Sequence, residues 1–255
     1  MIIKTVIFDM GGTLEDVHYN REIRSKAFPA LVETLRLGGI PLPEDTENVL
    51  DRVLAGNARY KAWSENLGVE LSPLDIWADW NLADFHVPRT KLEPIAEELS
   101  YLWETTFFAR ALRPDAQSTL DALKSRGYQL GVISNTSSAT QVFRTLEAYG
   151  IASYFECVIL SSLEGVRKPA KAIFDAALAA LGAKAESSAY VGDTLSRDVL
   201  GSKNAGYGLS IQIRSFLTAG SDAAVDAGAI KPDYLVGSLG EIVGVLDDLK
   251  GRTAR

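Results

Sequence analysis

Two hydrophobic patterns divide the chain. Ile2 to Phe8 is an almost unbroken apolar run, short enough for a strand and apolar enough to be buried on both faces, as strands of a parallel sheet are. From about Asp16 to Ala109 the apolar residues recur every three or four positions, and the pattern contains no convincing strand. It predicts helices over Arg21 to Leu37, Thr46 to Leu67, Pro73 to Phe85 and Arg89 to Phe108, broken at Gly38-Gly39, Pro41, Pro43, Gly68 and Pro88.

After Pro114, short apolar runs alternate with amphipathic stretches. Strands are predicted at Tyr128 to Ile133, Cys157 to Leu160, Ser188 to Val191, Gly208 to Ile213 and Tyr234 to Val236. Helices are predicted at Asp115 to Ser125, Ala139 to Tyr149, Ala170 to Leu181, Arg197 to Asn204 and Leu239 to Leu249. Such alternation implies an α/β fold with a doubly wound, mainly parallel, Rossmann-like sheet. The expected organisation is a core formed by residues 1–15 and 110–255, with an all-helical cap inserted over 16–109.

The ends of the predicted strands carry the candidate chemistry. Val6-Ile7-Phe8 runs into Asp9, and Gly11-Gly12-Thr13 follows. Ligands of parallel sheets gather at the carboxyl ends of strands, so Asp9 stands where a nucleophile would. The glycine turn beside it, including Gly12, can bring backbone N–H groups close to an oxyanion. A second apolar run ends in Gly192-Asp193 and leads through Thr194 to Asp198. Between them lie a strand ending in Ser134 and Asn135, and Lys168 just ahead of a helix. A carboxylate nucleophile, oxygen ligands for a hard cation, a hydroxyl donor and a fixed positive charge together suit phosphoryl transfer, which depends on positioning and charge neutralisation.

In order and spacing these four segments resemble the haloacid dehalogenase superfamily over nearly the whole chain. The resemblance implies a hydrolase with Asp9 as nucleophile, Ser134 and Lys168 on the phosphate, and Mg²⁺ held by Asp9, the Gly11 carbonyl and Asp193, with Asp198 ordering its water shell. Thr13 is expected to help position the phosphate oxygens, and Asn135 to approach the substrate. One position departs from the pattern. Phosphatases of this family carry a second aspartate two residues after the nucleophile, as general acid and then base, and here that position is Gly11.

The leading expectation is therefore a phosphatase acting on a small phosphorylated metabolite through an aspartyl-phosphate, slow or confined to good leaving groups. The alternatives are a non-hydrolytic phospho-ligand or protein binder, and a hydrolase of C–P or C–halogen bonds. The C–P chemistry would need a cap lysine, for which Lys26 and Lys61 lie in the right region.

A net charge of -7 with no basic stripe argues against a nucleic-acid partner. No apolar run approaches the roughly 18 residues that span a membrane, and no basic-then-apolar leader precedes Ile2, so a cytoplasmic location is expected. The single cysteine, Cys157, lies in an apolar run and reads as a structural thiol. The helical spacing of Trp77 with Trp80, and of Trp103 with Phe107, favours packing inside the cap over stacking on a substrate. His18, His86, Glu15 and Asp16 are weaker candidates to replace the missing acid, with surface or hinge roles as their default.

Overall fold

The computed structural model describes residues 2–43, 45–216, 218, 222 and 230–253. Strand β1 (Thr5–Phe8) is buried along its whole length, and β2 (Glu15–His18) follows a tight turn. Helices α1 (Arg21–Leu37), α2 (Thr46–Leu67), α3 (Pro73–Ile76), α4 (Arg89–Leu92) and α5 (Ala96–Thr106) then lead back to β3 (Ala109–Leu112).

The remaining elements are α6 (Ala116–Ser125), β4 (Gln129–Ser134), α7 (Gln141–Ala148), β5 (Cys157–Leu160), α8 (Ser161–Glu164), α9 (Lys171–Leu181), β6 (Ser188–Gly192), α10 (Leu200–Asn204), β7 (Leu209–Ile213), β8 (Tyr234–Val236) and α11 (Gly240–Thr253).

The six core strands are all parallel, in the order β5-β4-β1-β6-β7-β8. Numbered by their succession in the sheet, this is the 3-2-1-4-5-6 order of doubly wound folds, whose ligand crevice opens where the winding reverses. Apolar side chains from the two faces of the sheet enter separate clusters. Val6, Phe8, Val132 and Val191 pack towards α6 and α11, while Ile7, Ile133 and Tyr190 pack towards α9. A third cluster, including Phe28, Leu31, Leu50, Trp77, Leu99 and Trp103, lies within the helical cap.

Local signals explain the cap helices. Asn20 accepts a hydrogen bond from Ile23 N at 2.8 Å to start α1, Asp45 accepts from Asn48 N at 3.2 Å to start α2, and Gly68 closes α2 at φ 68°.

Three expectations are corrected by the structure. The stretch expected to lack strands contains most of β2, which pairs antiparallel with β3, opposing Glu15 to Leu112 and His18 to Ala109. Four residues with two acids among them carry too little β pattern to stand out, and the pairing is made by the chain leaving and re-entering the core. The helix expected over Arg89 to Phe108 divides near Pro94, which cannot donate to the helical ladder.

The helix expected over Pro73 to Phe85 becomes α3, a π-helical turn at Trp77–Asn81 and a 3₁₀ turn at Ala83–Phe85. Residues three apart share a face of a regular helix. Here Trp77 faces α5, donating its indole N–H to Ser100 Oγ at 2.9 Å, and Trp80 faces Trp63 on α2 at a ring separation of 5.3 Å. The wide turn lets one segment serve two packing layers.

The packing of α2 on this turn needs Gly56. A Cβ there would lie 3.0 Å from Asn81 Cα and 3.0 Å from the Trp80 carbonyl carbon, and closer still to its oxygen. Backbone cannot rotate away, so Gly56→Ala should cost about 1–3 kcal/mol through overpacking. Urea unfolding followed by circular dichroism will measure it, and an unchanged midpoint would mean that α2 and the turn separate freely.

Candidate active site

Three adjacent strands deliver the site. Asp9 follows the last residue of β1, Ser134 ends β4, and Asp193 follows Gly192 at the end of β6. The parallel register opposes Phe8 to Val132 on one side and Val191 on the other, so these ends lie level at the sheet's carboxyl edge. Lys168 reaches them from the loop ahead of α9. Its backbone is clamped by Asn135, which accepts from Lys168 N at 2.9 Å and donates to Lys168 O at 3.1 Å.

Lys168 Nζ lies 2.7 Å from Asp9 Oδ1 and 2.7 Å from Asp198 Oδ1, and donates to the Tyr190 hydroxyl at 3.1 Å. Asp9 Oδ1 also accepts from Met10 N at 2.7 Å, so the nucleophile candidate is held through one oxygen and Oδ2 remains available. Asp9, Asp193 and Asp198 each place a carboxylate oxygen within 4.8 Å of the others, and all three residues are buried.

Burial raises the Asp9 carboxyl to about 6; Lys168 pulls against the shift, while Asp198 adds to it. The lysine thus only partly offsets burial at Asp9. Burial, and then repulsion from Asp198 and Asp9, lifts Asp193 to about 8. Asp198 goes the other way: burial would raise it, but Lys168 and Arg197 outweigh burial and hold it below the ordinary carboxylate range.

Asp198 has its oxygens in use, Oδ1 on Lys168 and Tyr190, Oδ2 on Thr194 N at 3.0 Å and Thr194 Oγ1 at 2.6 Å. It reaches them from a π-helical turn at Leu195–Val199, where a regular helix over Arg197 to Asn204 was expected. Asp193 is the opposite case. Its Oδ1 is buried with no hydrogen-bond partner, a costly arrangement that a cation would relieve. The donor set is hard oxygen, which suits a divalent ion of the Mg²⁺ type. Gly12 closes the back of this cluster: at φ +85°, its absent Cβ would overlap the Asp193 carboxylate.

A cleft of about 210 Å³ between cap and core opens onto Asp9, Gly11, Ser134, Asn135 and Lys168. The Ser134 hydroxyl faces it without a hydrogen bond among the described residues. Gly12, Thr13, Asp193 and Asp198 lie behind that wall, and Thr13 is fully buried with its hydroxyl unpartnered.

Beside Gly11 stands Arg110 of β3, its Nη1 3.5 Å from where a Cβ at residue 11 would be. Arg110 is fixed by Glu15 and by Glu104, whose Oε2 is 3.0 Å from Nη2. Glu15, fully buried, also accepts from Tyr149 Oη at 3.0 Å. Neither histidine lines the cleft. His18 packs on Phe216 at 4.7 Å, and His86 is exposed. Asp16 stands 3.3 Å from Arg113, Lys26 pairs with Glu22 at 2.6 Å, and Lys61 lines the cleft.

Sequence patterns did not single out Arg24, Glu70, Glu104, Arg110, Arg167 or Arg197 as site residues. Arg24, Glu104 and Arg197 sit on helical segments, Arg110 on β3, and Glu70 and Arg167 in loops, all places where a charged residue reads as solvated surface. Cys157 is half-buried, and burial raises its thiol to about 11, as expected of a structural rather than a nucleophilic thiol.

The chain belongs to the haloacid dehalogenase-like hydrolases: the model of that family matches residues 3–206. It is 30% identical over 210 residues to a glyceraldehyde 3-phosphate phosphatase of Pyrococcus furiosus, covering 80% of this chain and 78% of that one. The corresponding enzyme of Methanothermobacter thermautotrophicus is 43% identical over 105 residues, a match spanning 41% of this chain and 46% of the relative. Among solved structures, a phosphatase of the family from Thermococcus onnurineus superposes with a TM-score of 0.60 at 26% identity, covering 96% of this chain and 98% of that one. The protein is thus a hydrolase of this family. No helix among the described residues is long and apolar enough to cross a membrane.

Asp193→Asn removes one of three crowded carboxylates. The metal-free variant should be more stable than wild type by about 1–3 kcal/mol, the scale of an uncompensated buried polar group, and should lose the thermal stabilisation that millimolar Mg²⁺ gives wild type. Thermal melts with and without Mg²⁺ read both effects.

Proposed function

We propose that this chain is a Mg²⁺-dependent phosphatase that transfers the phosphoryl group of a small ester to Asp9 and then releases it to water. The convergence of Asp9, Ser134 and Lys168 on one cleft, with a buried carboxylate cluster behind them, carries this reading. So do the relatives named as phosphatases of a three-carbon phosphate. A cleft of about 210 Å³ is smaller than the ~300–1,000 Å³ typical of drug-sized ligands, which suits a small metabolite.

Asp9 Oδ2 attacks phosphorus, and the bond to the leaving oxygen breaks as the acyl phosphate forms. Lys168 holds Oδ1 and so aims the carboxylate, with Asp198 and Tyr190 holding Lys168 in turn. The Ser134 hydroxyl is free to donate to a phosphoryl oxygen. Held by Asp9, Asp193 and the Gly11 carbonyl, Mg²⁺ would supply charge neutralisation on those oxygens. Asn135, committed to the Lys168 backbone, serves the site by positioning that lysine.

Gly11 leaves no proton donor beside the departing oxygen. What stands there is Arg110, which can hydrogen-bond a developing anion but does not give up its proton. Leaving groups that depart as stable anions are therefore favoured. A second reading, hydrolysis of a C–P bond, draws on Lys61, which lines the cleft and whose ammonium is disfavoured by burial. Trapping of the substrate on Lys61 by borohydride would distinguish it.

Mg²⁺-dependent hydrolysis of p-nitrophenyl phosphate should fall at least 10³-fold in Asp9→Asn, and an unaffected rate would overturn the proposal. A Cβ at residue 11 would meet no atom closer than 3.5 Å, and beside Arg110 the Gly11→Asp carboxylate should stay ionised and act as base towards the hydrolytic water. It should raise turnover where hydrolysis of the acyl phosphate limits the rate, as with p-nitrophenyl phosphate, by up to the ~10²–10⁴-fold that such a group supplies. Steady-state kinetics and acyl-phosphate trapping will separate the two steps.

A further inference from the structure

The cleft is far more cationic than the chain that builds it. Arg24, Lys61, Arg110, Arg167, Lys168 and Arg197 line it against the carboxylates Asp9, Glu70 and Glu104, in a protein of net charge -7. Each of those carboxylates already has its cation. Asp9 is paired with Lys168, Glu70 Oε2 lies 3.4 Å from Arg167, and Glu104 is paired with Arg110.

Two of the remaining cations, Arg24 and Lys61, stand on the cap helices α1 and α2. Among the described residues Lys61 has one carboxylate within ion-pair distance, Glu65 at 3.9 Å, which also lies 4.0 Å from Arg167 and 3.6 Å from Arg197, the latter facing Asp198, Asp193 and Asp9 as well. Arg24 has no carboxylate within ion-pair distance among the described residues, and its Nε is buried without a hydrogen-bond partner. Its guanidinium rests 4.6 Å from the ring centre of Tyr19 and 5.6 Å from that of Phe108, two further walls of the cleft.

These groups act on one another. Burial disfavours the Lys61 ammonium, Glu65 pulls the other way, and Arg197, Arg167 and Arg24 each disfavour it further, while burial also lowers Arg24. Partly desolvated cations that repel one another cost free energy unless an anion sits among them. One turn before Lys61, on the same face of α2, Asn57 also lines the cleft, and its amide makes no hydrogen bond among the described residues.

We propose that Arg24 and Lys61, with Asn57, bind a second oxyanion of the substrate, so that the preferred ester carries a carboxylate or another phosphate at the end remote from Asp9. This rests on the phosphatase reading and sharpens it. The aldehyde phosphate for which the relatives are named has no such second charge, so this cleft is matched to an acid or bisphosphate in its place.

Matched probes test it. Glycerol 3-phosphate, 3-phosphoglycerate and propane-1,3-diol bisphosphate share a three-carbon frame and differ in the group at the far end. With Mg²⁺, kcat/KM for one of the two doubly anionic esters should exceed that for glycerol 3-phosphate at least tenfold, chiefly through KM, and which of the two leads identifies the oxyanion. Calorimetry on Asp9→Asn should give the same order of Kd, independently of turnover. Arg24→Gln and Lys61→Gln should each bring the ratio towards unity, and Arg24→Lys should keep part of it.

Equal affinity for all three probes in wild type, or a preference untouched by both glutamine variants, would overturn the proposal. Because Lys61 is half-exposed on the surface of α2, its variant tests the site even if Arg24→Gln perturbs folding. Failure of the phosphatase reading would show differently, as turnover insensitive to Asp9→Asn with the binding preference intact.

Discussion

The buried Lys168 ammonium, shared between Asp9 and Asp198 at 2.7 Å each, is the interaction on which the site depends. It contacts two of three carboxylates whose oxygens lie within 4.8 Å of one another, with Arg197 adding positive charge alongside. Removing it would leave like charges facing each other in a medium that screens them poorly, at a cost on the order of 3–5 kcal/mol for breaking a buried pair. Even with it the cluster is short of positive charge, as the raised Asp9 and Asp193 carboxyls record. That deficit makes the cluster receptive to a divalent cation.

The surroundings serve this constraint. Winding the sheet outward from β1 in both directions brings three strand ends level, so that Asp9, Ser134 and Asp193 meet without long side chains having to reach. The Asn135 amide fixes the lysine loop from two sides, and the wide turn at Leu195–Val199 folds Asp198 back onto Thr194. Across the cleft, the β2–β3 pair seats Arg110 between Glu15 and Glu104, tying both hinge strands to α5. The same guanidinium occupies the neighbourhood left open by Gly11, so the space beside that glycine and the pairing of β2 with β3 are one feature.

The parallel core was legible in the sequence because its strands are continuous apolar runs bounded by glycine and acid. Cys157–Leu160 and Tyr234–Val236 have the predicted limits, and Asp9, Ser134, Lys168 and Asp193 fall at the predicted edge. The departures arise where tertiary contacts override local pattern. Trp77 and Trp80 keep helical spacing in sequence yet face different layers through a π turn, and β2 forms only because β3 returns beside it. Thr13 was expected among the phosphate contacts, and the fold places it fully buried behind the cleft wall.

What the sequence determined by itself was the sheet, the residues placed at its edge and the glycine at position 11, since each depends on residues adjacent in the chain or on a period set by the backbone. What only the tertiary structure decided was the charge balance of the cleft. Arg24, Lys61, Arg110, Arg167 and Arg197 come from three helical segments, a hinge strand and a loop. Whether a charged side chain on such an element meets solvent, a carboxylate or a substrate depends on how the cap seats on the core, because electrostatic interaction follows distance and burial rather than position along the chain.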